Sequence, residues 1–260
     1  MKRIDDYAGD WALVTGASSG IGEVFARQLA AKKINLLLVA RREDKLRELA
    51  QSLVKEHGIQ ARIAPLDLAR EDFLPALAEL THDITVSVLV NNAGFGLSGR
   101  FLENDIAREL EMLHLNCRAP LLLTHHYAAA MKARGNGAII FLSSILGHMP
   151  VPRMANYAAT KGYDLMLAEG LARELEPAGV SVMALCPGAT QTEFSDVAGL
   201  HIRKQMSPDE VVALSLSRVG QSRYVVPGAG NKALAWMPRF VTRRWMTDFM
   251  ARAAGSLRKY

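Results

Sequence analysis

Tyr157 and Lys161 lie four apart in Asn156-Tyr157-Ala158-Ala159-Thr160-Lys161, the spacing that brings two side chains out on one face of a helix. A free phenol titrates near ~10, and bringing it two or three units closer to neutrality takes about 3–4 kcal/mol of differential stabilisation. A neighbouring ammonium acts in that direction by stabilising the phenolate. Such a tyrosine gives a proton to a carbonyl oxygen as hydride arrives on the carbon, and takes it back in the reverse reaction. A Tyr/Lys pair at this spacing is common on exposed helices, so its weight depends on what else is aimed at it. Ser143 and Ser144 end an apolar run thirteen residues before Tyr157, and a serine hydroxyl there can hydrogen-bond the substrate oxygen. Alternation along a strand aims the two serines to opposite sides, and the spacing to Tyr157 favours Ser144.

Hydride needs a carrier, and the N-terminal part of the chain has a place for one. An apolar run leads straight into Thr15-Gly16-Ala17-Ser18-Ser19-Gly20-Ile21-Gly22 and then into an amphipathic segment. In a strand–turn–helix, glycines let the backbone approach a pyrophosphate, while the free N–H groups of the helix start favour its negative charge. The spacing is GxxxGxG rather than GxGxxG. Nineteen positions beyond Gly22, where a site for NAD(H) would place an acidic residue against the ribose 2′-hydroxyl, the sequence has Arg41 and Arg42. Guanidinium groups pair with a 2′-phosphate, which a carboxylate would repel, so NADP(H) is expected over NAD(H), with Arg41 ahead of Arg42 as its partner.

These residues need a scaffold that gathers strand ends and helix starts at one edge. Short β-type runs occur at 11–15, 35–40, 61–65, 86–91, 138–142, 180–185 and 224–226. Helical periodicity separates them at 22–32, 43–57, 70–80, 104–115, 120–134 and 155–176. Strands alternating with helices imply right-handed βαβ crossovers, and runs such as Asn35–Ala40 are apolar almost throughout, as buried strands of a parallel sheet are. The expectation is an α/β, doubly wound, Rossmann-like sheet of about seven strands in one domain over 1–260, with residues from about 195 onward forming a substrate loop and a C-terminal helical extension. Ser144 and the glycine loop would then both lie at the carboxyl edge, where such sheets bind ligands.

In that frame the sequence resembles the short-chain dehydrogenase/reductase family. The motifs are TGASSGIG at 15–22, Asn91-Asn92-Ala93-Gly94, Ser144, the YxxxK of Tyr157 and Lys161, and Pro187-Gly188, all in the family's order over roughly residues 9 to 195. The resemblance implies that Ser144 orients the substrate oxygen, Tyr157 transfers the proton, and Lys161 both lowers the tyrosine pKa and holds the nicotinamide ribose. It implies that Asn116 anchors a water relaying protons to Lys161. For the cofactor it implies contacts from Gly16, Ser18, Ser19, Gly20, Ile21 and Gly22; from Asp67 and Leu68 at the adenine; and from Asn92, Ala93 and Gly94 near its ribose. Pro187, Gly188, Thr190 and Thr192 complete the set, with Thr192 on the carboxamide.

The chain has 260 residues and a formal charge of +5 spread along its length, without a nucleic-acid motif. Cys117 and Cys186 show neither disulfide nor metal spacing, and no metal is expected. The start lacks a secretory signal and no apolar run reaches bilayer length, so the expected compartment is the cytoplasm. Phe95, Leu97, Met149, Met154 and Phe194 are expected to line a pocket for a hydrophobic carbonyl or alcohol, with His148 a weaker candidate. The segment 237–260 mixes aromatics with arginines at helical spacing; it is read as an amphipathic helix that caps the pocket, packs in a homodimer or homotetramer, or rests on an anionic membrane. Other readings of the chain are a non-catalytic NADP-binding redox sensor, a membrane or partner adaptor, and a dehydratase or epimerase on the same scaffold.

Overall fold

The computed structural model describes residues 1–194, 198–199 and 205–256. Seven parallel strands form one sheet: β1 (Trp11–Thr15), β2 (Asn35–Ala40), β3 (Ala61–Pro65), β4 (Val86–Asn91), β5 (Gly137–Leu142), β6 (Val180–Leu185) and β7 (Tyr224–Val225). Their order is β3-β2-β1-β4-β5-β6-β7, so the chain reverses its winding between β1 and β4 and opens a crevice at their carboxyl ends.

The apolar runs of the sequence are explained by burial on two sides. Along β2, Leu36 and Leu38 join one core while Leu37 and Val39 join the other. The first core is closed by α1 (Gly20–Ala31), α2 (Glu43–His57) and α7 (Pro208–Arg218), through side chains such as Phe25, Leu46 and Val212. The second is closed by α3 (Phe73–Thr81), α5 (Ala119–Arg134) and α6 (Ala155–Leu175), through Phe73, Leu123 and Leu165. The fold is the expected doubly wound Rossmann-like architecture.

Two boundaries shape the site. Helix α1 begins at Gly20, two residues earlier than the periodicity indicates, so the motif's last glycines form its first turn. The helix α4 (Ile106–Leu113) continues through a wider π-helical turn at His114–Arg118 directly into α5, where the sequence suggests two separate helices. Past β6 the chain adds α7, then α8 (Ala229–Trp236) and α9 (Arg243–Ser256); the first two escaped the sequence reading. Among the described residues, no helix is long and apolar enough to cross a membrane.

Candidate active site

A cleft of about 720 Å³ follows the carboxyl edge of the sheet from the glycine loop to the C-terminal helix. Its first wall is the loop between β1 and α1. Gly16 and Gly20 both have left-handed backbones, with φ of 67° and 58°. A Cβ on Gly16 would stand 2.7 Å from Asn92 Nδ2, and one on Gly20 3.0 Å from Thr192 Cγ2. The loop therefore lies against β4 on one side and the segment after β6 on the other, as a shallow cradle of backbone amides at the start of α1 needs. Asn92 holds it there: Nδ2 donates to Thr15 O at 2.8 Å, while Thr15 Oγ1 accepts from the amides of Asn92 and Ala93.

Gly22 has a different part. It is not in the cleft wall; a Cβ there would overlap Gly16 O and Asn92 Nδ2, so this glycine serves helix–loop packing rather than cofactor contact. Gly22→Ala is expected to destabilise the fold by about 1–3 kcal/mol, because the obstructing atom is backbone and cannot swing aside. An unchanged urea midpoint would contradict that packing role.

Both arginines line the cleft, but they reach in different directions. Arg42 Nε donates to Ser18 Oγ at 3.1 Å and Nη2 to Ser19 Oγ at 2.6 Å, with Glu193 at 3.1 Å on its far side. Its guanidinium lies over the mouth of the glycine loop. Arg41 lines the same wall but leads outward to Glu111 at 3.5 Å. The cause is the backbone: Arg42 is the extended residue that opens α2, which turns its side chain back across the loop. Asp67, Leu68, Ser18, Ser19, Ile21, Asn92, Ala93, Gly94, Pro187, Gly188, Thr190 and Thr192 all line the cleft as anticipated. Asp67 also closes its own turn by accepting from Ala69 N. The donors, the positive end of α1 and Arg42 fit a dinucleotide carrying an extra phosphate.

The catalytic candidates meet in the middle of the cleft. Tyr157, Lys161, Ser143 and Ser144 all line it. Ser143 is turned away, its Oγ donating to Lys161 O at 2.6 Å, whereas Ser144 Oγ accepts from Leu146 N and acts on the Tyr157 hydroxyl. Of the two strand-end serines, Ser144 is therefore the one turned toward Tyr157. Tyr157 is 6% exposed and its ring packs on Phe194 at 5.3 Å. Burial pushes its pKa above the usual phenol value, while Lys161 and Ser144 pull it back down and Asp164 adds to the rise. Lys161 thus acts in the expected direction, but within the protein alone desolvation of the phenolate outweighs the ammonium.

Lys161 Nζ donates to Leu142 O at 2.7 Å and to Asp164 Oδ2 at 3.0 Å, which leaves one N–H for the cleft. Asp164 was missed in the sequence, although its i,i+3 spacing from Lys161 was there to be read. Asn116, in the π-helical turn, is buried behind the cleft wall rather than in it. Its side chain clamps Phe95, accepting from its N–H and donating to its carbonyl, and also donates to Thr160 Oγ1. These contacts fix Asn116 between the Phe95 backbone and α6, next to Gly94 and Lys161.

The far end of the cleft is apolar. Phe95, Met154 and Phe194 line it as expected, but Leu97 and Met149 do not; both pack into the small core beneath. His148 is also outside it, half-buried near the Tyr224 ring, with its pKa lowered by burial. Leu146, Val151, Arg153 and Leu234 were missed, since loop residues carry no periodicity that separates lining from core. The tail closes this end: Phe249, Met250 and Ala253 of α9 face the cleft, and Met246 anchors the helix in the core. Its outer side leaves Trp245 half-exposed, stacked on Phe249.

Known proteins share this arrangement. A family model described as short chain dehydrogenase matches residues 10–201, and the chain belongs to that family, the short-chain dehydrogenases/reductases. It is therefore an oxidoreductase acting on hydroxyl and carbonyl groups. The chain is 33% identical to a 7beta-hydroxysteroid dehydrogenase of Clostridium sardiniense over 86% of its own length and 87% of the relative's. It is also 33% identical to a very-long-chain 3-oxoacyl-CoA reductase of Phaeosphaeria nodorum, over 95% of this chain and 72% of that one. A solved short-chain dehydrogenase from Sphingobium yanoikuyae in complex with NADPH superposes with a TM-score of 0.80 at 33% identity, covering 95% of this chain and 94% of the other.

Proposed function

We propose that this protein is an NADPH-dependent reductase of a bulky hydrophobic ketone. The observation that carries the reading is one continuous cleft, with Arg42 over the phosphate loop at one end, an apolar pocket under α9 at the other and Tyr157 between them. The similarity to a hydroxysteroid dehydrogenase and to a very-long-chain oxoacyl reductase supports a large apolar substrate; the NADPH-bound relative supports the cofactor.

Bound in this cleft, NADPH would supply the hydride. The Gly16–Ile21 amides and Arg42 would hold its phosphates, and Thr192 and Lys161 would flank the nicotinamide end. Ser144 would donate a hydrogen bond to the substrate oxygen and fix its distance from Tyr157. Tyr157, kept neutral by burial, would give its proton to that oxygen as the carbon is reduced. Leu146, Val151, Phe194 and Phe249 would exclude water from the reacting carbonyl.

The test is NADPH oxidation with polycyclic ketones, long-chain 3-oxoacyl thioesters and small aldehydes. Turnover is expected on the large ketones at a kcat/KM at least about tenfold above the small aldehydes, in line with the apolar area available for burial. Phe249→Ala is expected to raise KM for the large ketone about three- to tenfold and leave the KM for NADPH unchanged. Tight NADPH binding without turnover on the panel would point instead to a redox sensor.

A further inference from the structure

We propose that Asp164 is a positioning residue that neutralises Lys161 inside the protein, so that Tyr157 keeps its proton to higher pH and carbonyl reduction extends further into the alkaline range. The inference rests on Tyr157 being the proton donor, and it concerns what surrounds that donor.

Lys161 and Asp164 form an ion pair whose side chains are 6% and 4% exposed. Both charges are largely withdrawn from bulk solvent, so each leans mainly on the other. Asp164 Oδ2 accepts from Lys161 Nζ, while Oδ1 is buried with no hydrogen-bond partner among the described residues. A carboxylate that spreads its charge over several N–H donors acts weakly on its neighbours. This one has a single donor, so its field falls on Lys161 and, beyond it, Tyr157.

The groups around Asp164 leave no other compensating charge. On α6 they are Lys161, Tyr157 and Tyr163; from the π-helical turn, Cys117; from the end of β6, Cys186. Burial pushes both thiols up to about 12 and raises Tyr163 as well, so all three are uncharged through neutral and moderately alkaline pH. Asp164 itself is pushed up to about 6 by burial and is ionised above that. Between these limits the cluster holds one positive and one negative charge and is neutral while Tyr157 is protonated.

Loss of the tyrosine proton from that state puts a net negative charge in a buried site. Without the carboxylate, the starting cluster would carry a net positive charge, and loss of the same proton would make it neutral. The first deprotonation is therefore harder with Asp164 than without it, and the three groups titrate as one unit. The balance is the same in the reaction: the proton leaves Tyr157 for the substrate oxygen, Lys161 retains its own, and the phenolate must then be reprotonated from solvent. Asp164 makes that reprotonation more favourable.

The experiment compares wild type, Asp164→Asn and Asp164→Glu in two ways. The alkaline limb of kcat/KM for ketone reduction and the acid limb of alcohol oxidation are both expected to move to lower pH in Asp164→Asn, by at least one unit and in step, with Asp164→Glu restoring most of the shift. A loss of rate in both directions with limbs in place would mean a merely structural role and overturn the proposal. The second measurement needs neither substrate nor cofactor: the tyrosinate ultraviolet signal of each protein minus that of its Tyr157→Phe counterpart reports Tyr157 alone. Tyr157 is expected to ionise about tenfold less readily in wild type than in Asp164→Asn. Equal ionisation of Tyr157 in the two proteins would also overturn the proposal, and Asp164→Ser serves the same comparison should Asp164→Asn fail to fold. Because this titration is independent of turnover, it separates failure of the inference from failure of the reductase reading.

Discussion

Tyr157→Phe is expected to lower kcat/KM for ketone reduction by about 10²–10⁴-fold, the range that one positioned general acid contributes, while NADPH affinity stays within about threefold. The size of the loss follows from what the substitution removes. Phenylalanine keeps the ring that packs on Phe194 and the buried volume beneath Gly96, so the apolar wall survives. Because burial holds Tyr157 in its neutral form, the change takes away a hydroxyl and no charge, and the Lys161–Asp164 pair stays balanced. What goes is the hydroxyl that would give its proton to the oxygen Ser144 would hold. A three-decade loss corresponds to about 4 kcal/mol of transition-state stabilisation, far more than a displaced ring contact accounts for. NADPH titration by fluorescence beside single-turnover kinetics separates the two quantities. A variant within tenfold of wild type would remove Tyr157 from the proton-transfer role. In the unmodified protein, the raised pKa means that the reductive rate falls only as pH climbs past the usual phenol value; below it the donor stays loaded.

The sheet was legible in the sequence almost to the residue because its information is local. Strands such as β2 and β5 are covered on both faces, so a short, nearly unbroken apolar run rich in branched residues between polar turns marks a strand. Motif residues on those strand ends came with them: Asn92, Ser144 and Gly188 could be placed once the strands were. Side-chain direction was not legible. Arg41 and Arg42 are adjacent and chemically identical, and only the extended backbone at the start of α2 decides which one faces the loop. Loop methionines could not be sorted either, since Met149 and Met154 sit five residues apart in the same small core and only Met154 also lines the cleft. Asp164 was hidden for a different reason: an acidic residue three positions after a lysine is the ordinary pattern of an exposed helix, and only burial turns it into part of the site.

The choice between the arginines leads to the second large effect. Arg42→Glu is expected to raise the KM for NADPH about 10²-fold and to shift the NADH/NADPH preference by about 10²–10³-fold toward NADH, whereas Arg41→Glu changes either by less than about tenfold. A charge-assisted hydrogen bond to a phosphate contributes about 1.5–3 kcal/mol, and a carboxylate in its place adds repulsion. Arg42 already lies over the glycine loop, between Ser18, Ser19 and Glu193, where it would be able to pair with a 2′-phosphate. A glutamate at 42 would meet the same two serine hydroxyls as an acceptor and could accept from a ribose 2′-hydroxyl, which is what NADH presents. Arg41, paired with Glu111 and more exposed, would act on the phosphate under stronger solvent screening. Steady-state kinetics with both cofactors at a fixed ketone concentration, together with the salt dependence of the NADPH KM, distinguish the two sites. A larger effect at Arg41 than at Arg42 would mean that the bound cofactor draws the first guanidinium inward and displaces the second. The loop would then close on NADPH by exchanging its arginines.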